Sequence, residues 1–313
     1  LFAFYNIESI ISERLCDKEN SHIAVLNPIP EDKRVMLKID GINKTPVNTV
    51  CQKMYDGSIL TEPVILPSYG IKSFAAEECK FEENGFAKII EDVIDTGTYL
   101  VKFEKESGKI SSIIKKASSR ELIDNTCEYS LGDYIYVTTE SKTSDKLTFN
   151  LQDTTKVTIE NGPLAVSIIR NGYEPESCAI LCSVITFYKH DEKIDVNLKF
   201  KDATTLIGDN SDRYRKNIFY CFPLKMSDYQ FITELAGGVV NEIKDRIPLH
   251  PRDFVVTQNW VAVENQTQGV GLFTREMPVF HLGGIHYNKL SNEFRAKNSN
   301  IYLYAASNRS NQL

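Results

Sequence analysis

The chain has 313 residues, of which 42% are hydrophobic and 25% are charged, and its net charge at neutral pH is −6. This balance supplies enough apolar side chains for a large globular core, either in one big domain or in two smaller ones. Lysine and arginine are dispersed along the chain, so no basic stripe indicates a nucleic-acid partner, and no apolar run approaches the roughly 20 residues of a membrane span.

Residues 1–22 begin with LFAFYNIESIISERLC, in which apolar residues are interrupted by Glu8, Glu13 and Arg14. The segment lacks the basic start and the small-residue cleavage site of a signal peptide. We interpret it as a short N-terminal helix, the remnant of an upstream domain. We therefore expect the chain to be part of a longer protein.

Residues 23–95 contain short strand patterns separated by turns that include proline. Val35, Leu37 and Ile39 alternate along one of these strands, as the inward side chains of a half-buried strand do. The region predicts a small β-sandwich domain. Near its end, the stretch ENGFAKIIEDVIDTG fits a short helix as well as a strand, and both remain open.

Residues 96–313 contain a denser series of strands. One hairpin turns at Glu106-Ser107-Gly108 and a longer one turns at residues 190–193. The alternation from Phe254 to Val263, which includes the single tryptophan, predicts one further strand. Because no substantial helix separates the strands, βαβ units are not expected. The pattern predicts an all-β fold with a large antiparallel sandwich.

The cysteine content indicates a reducing compartment. The chain has seven cysteines, an odd number, and no Cys-x-x-Cys motif. A disulfide framework or a thiolate zinc site is therefore not expected, and buried free thiols are the better interpretation. We expect a cytoplasmic protein.

Few residues suggest metal binding or catalysis. His281 and His286 form the closest histidine pair, but they flank two glycines and have no carboxylate or cysteine nearby in the sequence. Zinc needs three or four ligands in a fixed geometry, so we predict no metal site in this chain. Asp133 and Asp253 are each explained more simply as a turn residue or an arginine partner than as one of the two carboxyl groups of a glycosidase.

The stretch YSLGDYIYV, residues 129–137, places three tyrosines beside Gly132 and Asp133. Tyrosine combines a flat apolar face with a hydroxyl group, which suits sugar recognition by stacking and hydrogen bonding. The simpler alternative is a Gly-Asp turn that leads into an aromatic strand, and composition alone favours it. Residue chemistry by itself therefore predicts only a large all-β domain with sugar binding as one option.

The order of several motifs resembles the C-terminal β region of glycoside hydrolase family 38, the α-mannosidases and their bacterial relatives. In chain order the motifs are AVLNPIPEDKRVMLKI, EPVILPSYGIKSF, YLVKFEKESGKISSIIKKASSRELID, GDYIYV, NGPLAVSI, NIFYCFPL, ELAGGVV and HPRDFVVTQNWVAVEN. Each motif is weakly specific on its own. Their shared order, from about His22 onward, is the more specific signal.

The resemblance implies a fold and an activity. The implied fold is a large antiparallel supersandwich of the galactose-mutarotase-like type, preceded by a small immunoglobulin-like β domain. The implied activity of the full-length parent is retaining hydrolysis of α-mannosides, with zinc gripping the sugar hydroxyls. In the family, the nucleophile and the zinc ligands lie upstream of the β region. The resemblance therefore implies that this chain alone is not catalytic, that zinc belongs to the missing catalytic domain, and that this domain is its partner.

The resemblance also points to four candidate substrate-binding residues. The tyrosine of the family's Gly-x-Tyr strand corresponds to Tyr134, with Asp133 as its companion, although the neighbouring residues differ from the usual pattern. Arg252 and Asp253 match a pattern that recurs in bacterial relatives. For that pair we favour a network that anchors a loop, and a rim contact is the sharper alternative. The predicted substrate-binding residues are thus Tyr134, Asp133, Arg252 and Asp253.

Two other functions remain open from the sequence. The first is a stand-alone carbohydrate-binding module with the aromatic strands as its platform. The second is a mutarotase-like isomerase, which needs a histidine and a carboxylate facing one sugar. His190 lies in a predicted turn, and the other histidines have no evident carboxylate partner. In each case the expected ligand is a carbohydrate, and a homo-oligomer remains open.

Overall fold

The computed structural model describes residues 22–82, 84–139, 147–202, 215–246, 254–274, 276–285 and 296–307. Within these ranges the chain forms 25 β-strands in six sheets and contains no helix. The predicted all-β class is therefore confirmed. The helix predicted at residues 1–22 lies outside the described residues, apart from His22, which begins the first strand.

The chain packs into two compact units. The first unit contains the described residues up to Lys88 together with Ile159–Ser167 and Thr186–Ile194. Its strands are β1 (His22–Asn27), β2 (Lys33–Ile39), β3 (Lys44–Pro46), β4 (Cys51–Lys53), β5 (Ile59–Leu66) and β6 (Gly70–Glu78). They form two antiparallel three-stranded sheets, with the orders β1-β6-β3 and β2-β5-β4.

A small apolar cluster and one buried amide hold the first unit together. Leu60, Leu164, Ala165 and Tyr188 form the cluster, against which partly buried side chains from β2 and from the residues on either side of β4 pack. Gln52 on β4 is buried beside it. Its Nε2 donates to the carbonyl of Ala165 at 2.9 Å, and its Oε1 accepts from the backbone N–H groups of Leu164 at 2.9 Å and Ala165 at 2.8 Å.

The second unit contains Ile89–Thr158, Ile168–Ile185 and the described residues from Asp195 onward. Its strands are β7 (Lys88–Ile90), β8 (Val93–Asp95), β9 (Tyr99–Phe103), β10 (Ile110–Lys115), β11 (Arg120–Glu121), β12 (Tyr134–Thr139), β13 (Leu147–Leu151), β18 (Arg215–Phe222), β19 (Gln230–Leu235), β20 (Gly238–Asn241), β21 (Phe254–Val256), β22 (Trp260–Glu264), β23 (Gly269–Phe273), β24 (Val279–Leu282) and β25 (Ile301–Ser307). They form sheets with the orders β11-β10-β9-β8-β7, β13-β12-β18-β25-β24-β21 and β20-β19-β22-β23.

The sixth sheet has the order β14-β15-β16-β17, and its residues are divided between the two units. Its strands are β14 (Asp153–Asn161), β15 (Ala165–Glu174), β16 (Ala179–Tyr188) and β17 (Ile194–Lys201). The link between β16 and β17 is the hairpin turn predicted at residues 190–193. The domain boundary predicted between residues 95 and 96 stays a prediction.

Strand β12 lies inside the six-stranded sheet, between β13 and β18. The four consecutive side chains from Tyr134 to Val137 are at most 2% exposed. Because successive side chains of a strand point to opposite faces, both faces of β12 are covered here. This strand carries one of the predicted site residues, so its burial constrains the role of that residue.

Two predictions about local structure can now be resolved. The continuous strand predicted from Phe254 to Val263 is wrong, because the chain forms β21 and β22 in different sheets. Between them, the N–H of Thr257 donates to Pro278 and the N–H of Gln258 donates to Glu234, so the backbone changes partners at this point. The ambiguous stretch before Gly97 forms the two short strands β7 and β8 rather than a helix.

Candidate functional site

Asp133 lies in a tight turn immediately before β12. Gly132 has a φ of +72°, a conformation that glycine adopts without the steric cost of a side chain. The N–H of Asp133 donates to the carbonyl of Ser130 at 3.1 Å, and Asp133 Oδ2 accepts from the N–H of Ser130 at 2.8 Å. The carbonyl of Asp133 accepts from the N–H of Cys221. Main chain and side chain together fix the turn.

The carboxylate of Asp133 is paired with the buried guanidinium of Arg170. Arg170 Nη2 donates to Asp133 Oδ1 at 2.9 Å, and both residues are 1% exposed. Arg170 Nε donates to the carbonyl of Ser107 at 2.9 Å, and Lys109 Nζ lies 4.0 Å from Asp133 Oδ2. These four residues, here called the Asp133 network, connect β15, the β9–β10 turn, the start of β10 and the start of β12.

The β9–β10 turn is shaped to admit Arg170. Gly108 has a φ of +66°, and a Cβ atom at this position would lie 2.6 Å from Cγ of Arg170. A larger residue would therefore collide with the arginine stem as well as strain the backbone. The hairpin turn was predicted from the sequence, but its role as a support for a buried arginine was not.

One nitrogen of Arg170, Nη1, is buried and has no hydrogen-bond partner in the part of the chain that the structure describes. An unsatisfied buried donor is unfavourable by about 1–3 kcal/mol, so a water molecule or another acceptor beside Nη1 would be stabilising. The other two guanidinium nitrogens are committed to the Asp133 network.

Tyr134 is fully buried, and its hydroxyl belongs to a second group of polar residues. Tyr134 Oη lies 3.0 Å from Ser177 Oγ, and Ser177 Oγ donates to Glu174 Oε2. Glu174 also accepts from the N–H groups of Glu176 and Ser177. Burial raises the pKa of the Tyr134 phenol well above its ordinary value, so the hydroxyl stays protonated. Tyr134, Ser177 and Glu174 are called the Tyr134 network below.

The ring of Tyr134 packs among aromatic side chains. Its centroid lies 5.7 Å from that of Tyr220 in an edge-to-face arrangement and 6.2 Å from that of Phe200. Direct sugar contact by Tyr134 and Asp133 stays a prediction. In the structure, both side chains are buried and hydrogen-bonded to protein groups. The other two predicted site residues, Arg252 and Asp253, lie outside the described residues.

A third buried carboxylate, Glu242, has the same kind of environment. It accepts two hydrogen bonds from Arg246, at 2.5 and 2.7 Å, and one from the hydroxyl of Thr233. Asp133, Glu174 and Glu242 are thus all buried and all saturated by neighbouring donors. Such carboxylates stabilise turns and strand ends through charge-assisted hydrogen bonds. The arrangement is that of a scaffold.

Zinc does not fit the described residues. No three histidine, cysteine, aspartate or glutamate side chains in these ranges lie close enough to hold a metal ion. His281, one of the predicted closest pair, is buried and surrounded by rings: its centroid lies 4.9 Å from that of Phe219 and 6.0 Å from that of Phe254. His286 lies outside the described residues.

Sequence reasoning missed Arg170, Glu174 and Ser177. For Arg170 a signal was available, since it stands in the run AVSIIRNG, and an arginine inside an apolar strand is rarely buried without a partner. The sequence does not identify that partner, because Asp133 is 37 residues away. Glu174 and Ser177 carry no comparable signal in the polar turn YEPESC.

Two further searches returned no match. None of the described segments forms a helix that is long and apolar enough to cross a membrane. A search of curated proteins finds no match to this sequence.

Residues 94–277, more than half of the chain, match the family described as glycosyl hydrolases family 38, C-terminal domain. The match spans both networks, from β8 through the turn at Gly108, Asp133, Tyr134, Arg170 and Glu174 to β23. The chain therefore belongs to glycosyl hydrolase family 38, as its sequence motifs predicted.

Proposed function

We propose that this chain is the C-terminal β region of an α-mannosidase-like glycoside hydrolase and that it supports α-mannoside hydrolysis by the full-length parent. The observation that carries the proposal is the family match over residues 94–277. The α-mannoside as substrate, the retaining outcome and the need for an upstream catalytic domain belong to the proposal.

The buried acids support a division of labour within such an enzyme. A glycosidase uses a pair of carboxyl groups that flank the sugar, and both of them must reach the glycosidic bond. Asp133, Glu174 and Glu242 are instead buried and filled by donors from their own surroundings. In the proposal, these acids hold loops and strand ends in place, and the reacting carboxylates come from the catalytic domain.

The proposal assigns zinc to the catalytic domain and not to this region. The described residues offer no group of three ligands, and the buried His281 packs among aromatic rings.

The cleft contribution is proposed to be indirect for two of the predicted residues. Asp133 and Tyr134 fix the turn and the first residues of β12, and so position the neighbouring surface. Arg252 and Asp253 are proposed to anchor the loop that precedes the strand of Trp260. A cytoplasmic location is proposed with them, and the six described cysteines, all free thiols, are compatible with a reducing compartment.

The test is hydrolysis of an aryl α-mannoside by two proteins, each with and without a metal chelator. The first is this chain, and the second is the natural polypeptide that contains it together with the family's catalytic region. We expect only the longer protein to be active, and we expect the chelator to abolish that activity. The matched α-glucoside and β-mannoside serve as controls for the sugar and for the anomer.

Two results would overturn the proposal. Hydrolysis by this chain alone would place reacting groups within it. A longer protein that is inert towards every α-mannoside would refute the substrate class. If that inert protein still bound mannosides through this chain, the carbohydrate-binding module would become the better account.

A further inference from the structure

Two cysteines, Cys127 and Cys221, meet in the core of the six-stranded sheet. Cys221 on β18 is 0% exposed and belongs to an apolar cluster with Ile135, Val137 and Tyr302, and Cys127 packs against this cluster from the preceding turn. Tyr302 on β25 is the direct cross-strand partner of Cys221, and its hydroxyl lies 3.9 Å from Cys127 Sγ. Tyr302 therefore lies beside both cysteines.

The turn that carries Cys127 is firmly anchored. The N–H of Cys127 donates to the carbonyl of Asp124, and the N–H of Asp124 donates to the carbonyl of Pro223. The carboxylate of Asp124 accepts from the N–H and the hydroxyl of Thr126. Cys127 is partly buried and Cys221 is 0% exposed, so Cys127 is the residue of the pair that lies nearer to solvent.

Three hydrogen-bond donors surround the sulfur of Cys127. The thiol of Cys221 is the principal one, and the N–H of Tyr129 and the hydroxyl of Tyr302 are the others. The hydrogen bond from Cys221 is the main cause that lowers the pKa of Cys127 to about 7, against the opposing effects of burial and of the nearby Asp124 carboxylate. Burial raises the pKa of Cys221 well above its ordinary value, so it remains a donor.

We propose that Cys127 is a reactive thiolate that is oxidised by peroxides and by low-molecular-weight disulfides, with Cys221 as the resolving thiol. The site is a modification site, separate from the carbohydrate chemistry proposed above. Cys127, the less buried of the two residues, makes the first attack because the thiolate is the nucleophilic form. The buried sulfur beside it then closes the disulfide.

The chemistry balances with either oxidant. With a low-molecular-weight disulfide such as glutathione disulfide, the Cys127 thiolate attacks one sulfur, the S–S bond breaks, and one glutathione thiolate leaves. Cys221 then attacks Cys127 in the mixed disulfide, the bond between Cys127 and glutathione breaks, and the proton of Cys221 goes to the departing glutathione thiolate. With hydrogen peroxide, Cys127 becomes a sulfenic acid with release of hydroxide, and its condensation with Cys221 releases water.

A second thiol pair in the first unit provides the contrast. Cys51 is buried, and both burial and the neighbouring Cys79 raise the pKa of its thiol. Its sulfur donates to the carbonyl of Lys80 at 3.3 Å. Cys51 therefore remains a protonated thiol at neutral pH, and the pair formed by Cys51 and Cys79 is the internal control for the pair formed by Cys127 and Cys221.

The experiment treats the reduced, folded chain with glutathione disulfide and maps the products by intact mass and peptide mass spectrometry. We expect the wild type to lose two hydrogens and to link Cys127 to Cys221. Cys221→Ala should instead keep a glutathione adduct on Cys127, and Cys127→Ser should give neither product. The control Cys178→Ser should react as the wild type does.

A pH profile of Cys127 alkylation tests the same inference without a variant. In the folded chain we expect a midpoint near pH 7 for Cys127. In a synthetic peptide of residues 124–130, which lacks Cys221 and Tyr302, the midpoint should lie near the ordinary thiol value of about 8.5.

Three outcomes would refute the inference: equal midpoints for the chain and the peptide, a disulfide that forms at Cys51 and Cys79 but not at Cys127, or reaction of Cys127 only after denaturation. Because the pH profile uses the wild-type chain, a variant that fails to fold leaves the test intact.

Discussion

The two units of the molecule use different polar side chains for the same task. In the first unit a neutral amide, Gln52, binds the backbone of Leu164 and Ala165, which lie more than 100 positions further along the chain. In the second unit a charged pair, Asp133 and Arg170, joins segments 37 positions apart. Both are buried, and both bridge segments that are distant in sequence.

Each of these side chains also runs across a glycine. A Cβ atom at Gly162 would lie 2.6 Å from Nε2 of Gln52, and one at Gly108 would lie 2.6 Å from Cγ of Arg170. In both bridges, then, the buried polar side chain has hydrogen-bond partners at its polar end and passes a glycine that leaves room for it. The two bridges should nevertheless differ, since removing one half of a charged pair leaves an uncompensated charge, whereas removing an amide does not.

The largest effect is expected for Asp133→Ala. The substitution leaves the Arg170 guanidinium buried without its anion, which should lower the free energy of unfolding by about 3–5 kcal/mol. Urea unfolding followed by circular dichroism measures the change. The control Asp92→Ala removes a half-exposed pair with Lys102, at 3.7 Å, and should change the stability by at most about 1 kcal/mol. Equal effects of the two variants would contradict the ion-pair account.

Gln52→Ala should have the next largest effect. It removes three hydrogen bonds and leaves the buried N–H groups of Leu164 and Ala165 without their side-chain acceptor, for a loss of about 2–4 kcal/mol. The same urea titration at low and high salt gives the second readout, because the loss should not depend on salt for a neutral amide. Gln258→Ala, at an exposed position, is the matched control and should be nearly neutral. A loss below that of the control would show that the amide is not a bridge.

Gly162→Ala and Gly108→Ala sharpen the comparison further. Each new methyl group forces the overlying Gln52 amide or Arg170 stem to move, which should be unfavourable by about 1–3 kcal/mol. Gly108→Ala should be the worse of the two, because its φ of +66° adds a penalty of about 1–2 kcal/mol. Gly57→Ala has a similar positive φ but open space around it, and therefore isolates the backbone contribution. We expect the midpoint of thermal unfolding to fall least for Gly57→Ala, more for Gly162→Ala and most for Gly108→Ala.

The smallest effect concerns acid stability in the first unit. Although burial opposes it, hydrogen bonds from Lys38 and Ser58 lower the pKa of Asp56 to about 2 in the folded chain, against 3.8 for the ordinary group. A depressed folded-state pKa contributes stability that is complete above the unfolded value and is lost as the pH falls from about 4 towards 2. Asp56→Asn should reduce the loss of unfolding free energy between about pH 4 and pH 2. The reduction should be at most about 1 kcal/mol, because the ion pair is partly exposed. An unchanged acid limb would rule out Asp56 as its origin.

The sequence predicted the fold class, but it did not identify the buried partners of the candidate site residues. Strand alternation and turn residues were enough for the all-β class and for the turns at Gly108 and at residues 190–193, because these signals are local. The break between β21 and β22 was missed because Val255, Thr257 and Val261 keep alternating while the backbone changes sheets. The alternation of apolar and polar residues indicates which side chains are buried, but it does not indicate which strand is the hydrogen-bonded neighbour.

The site was less predictable for a physical reason. Asp133 and Tyr134 were predicted from the resemblance as substrate-binding residues, and that role stays a prediction. Their partners Arg170, Ser177 and Glu174 come from distant positions that only the folded chain brings together. The local pair formed by Glu242 and Arg246 illustrates the contrast, since its spacing of four residues places both partners in one short segment. Long-range polar partners cannot be found from spacing alone.

The most direct test of the account measures catalysis and stability together in the full-length parent, for Asp133→Asn and Tyr134→Phe. If these residues position the β region, KM and kcat for an aryl α-mannoside should stay within about twofold of the wild type under conditions where the protein is folded, a change below about 0.5 kcal/mol. The unfolding free energy should fall, most of all for Asp133→Asn. A tenfold rise in KM with unchanged stability would contradict the account and would instead place these side chains in contact with the sugar.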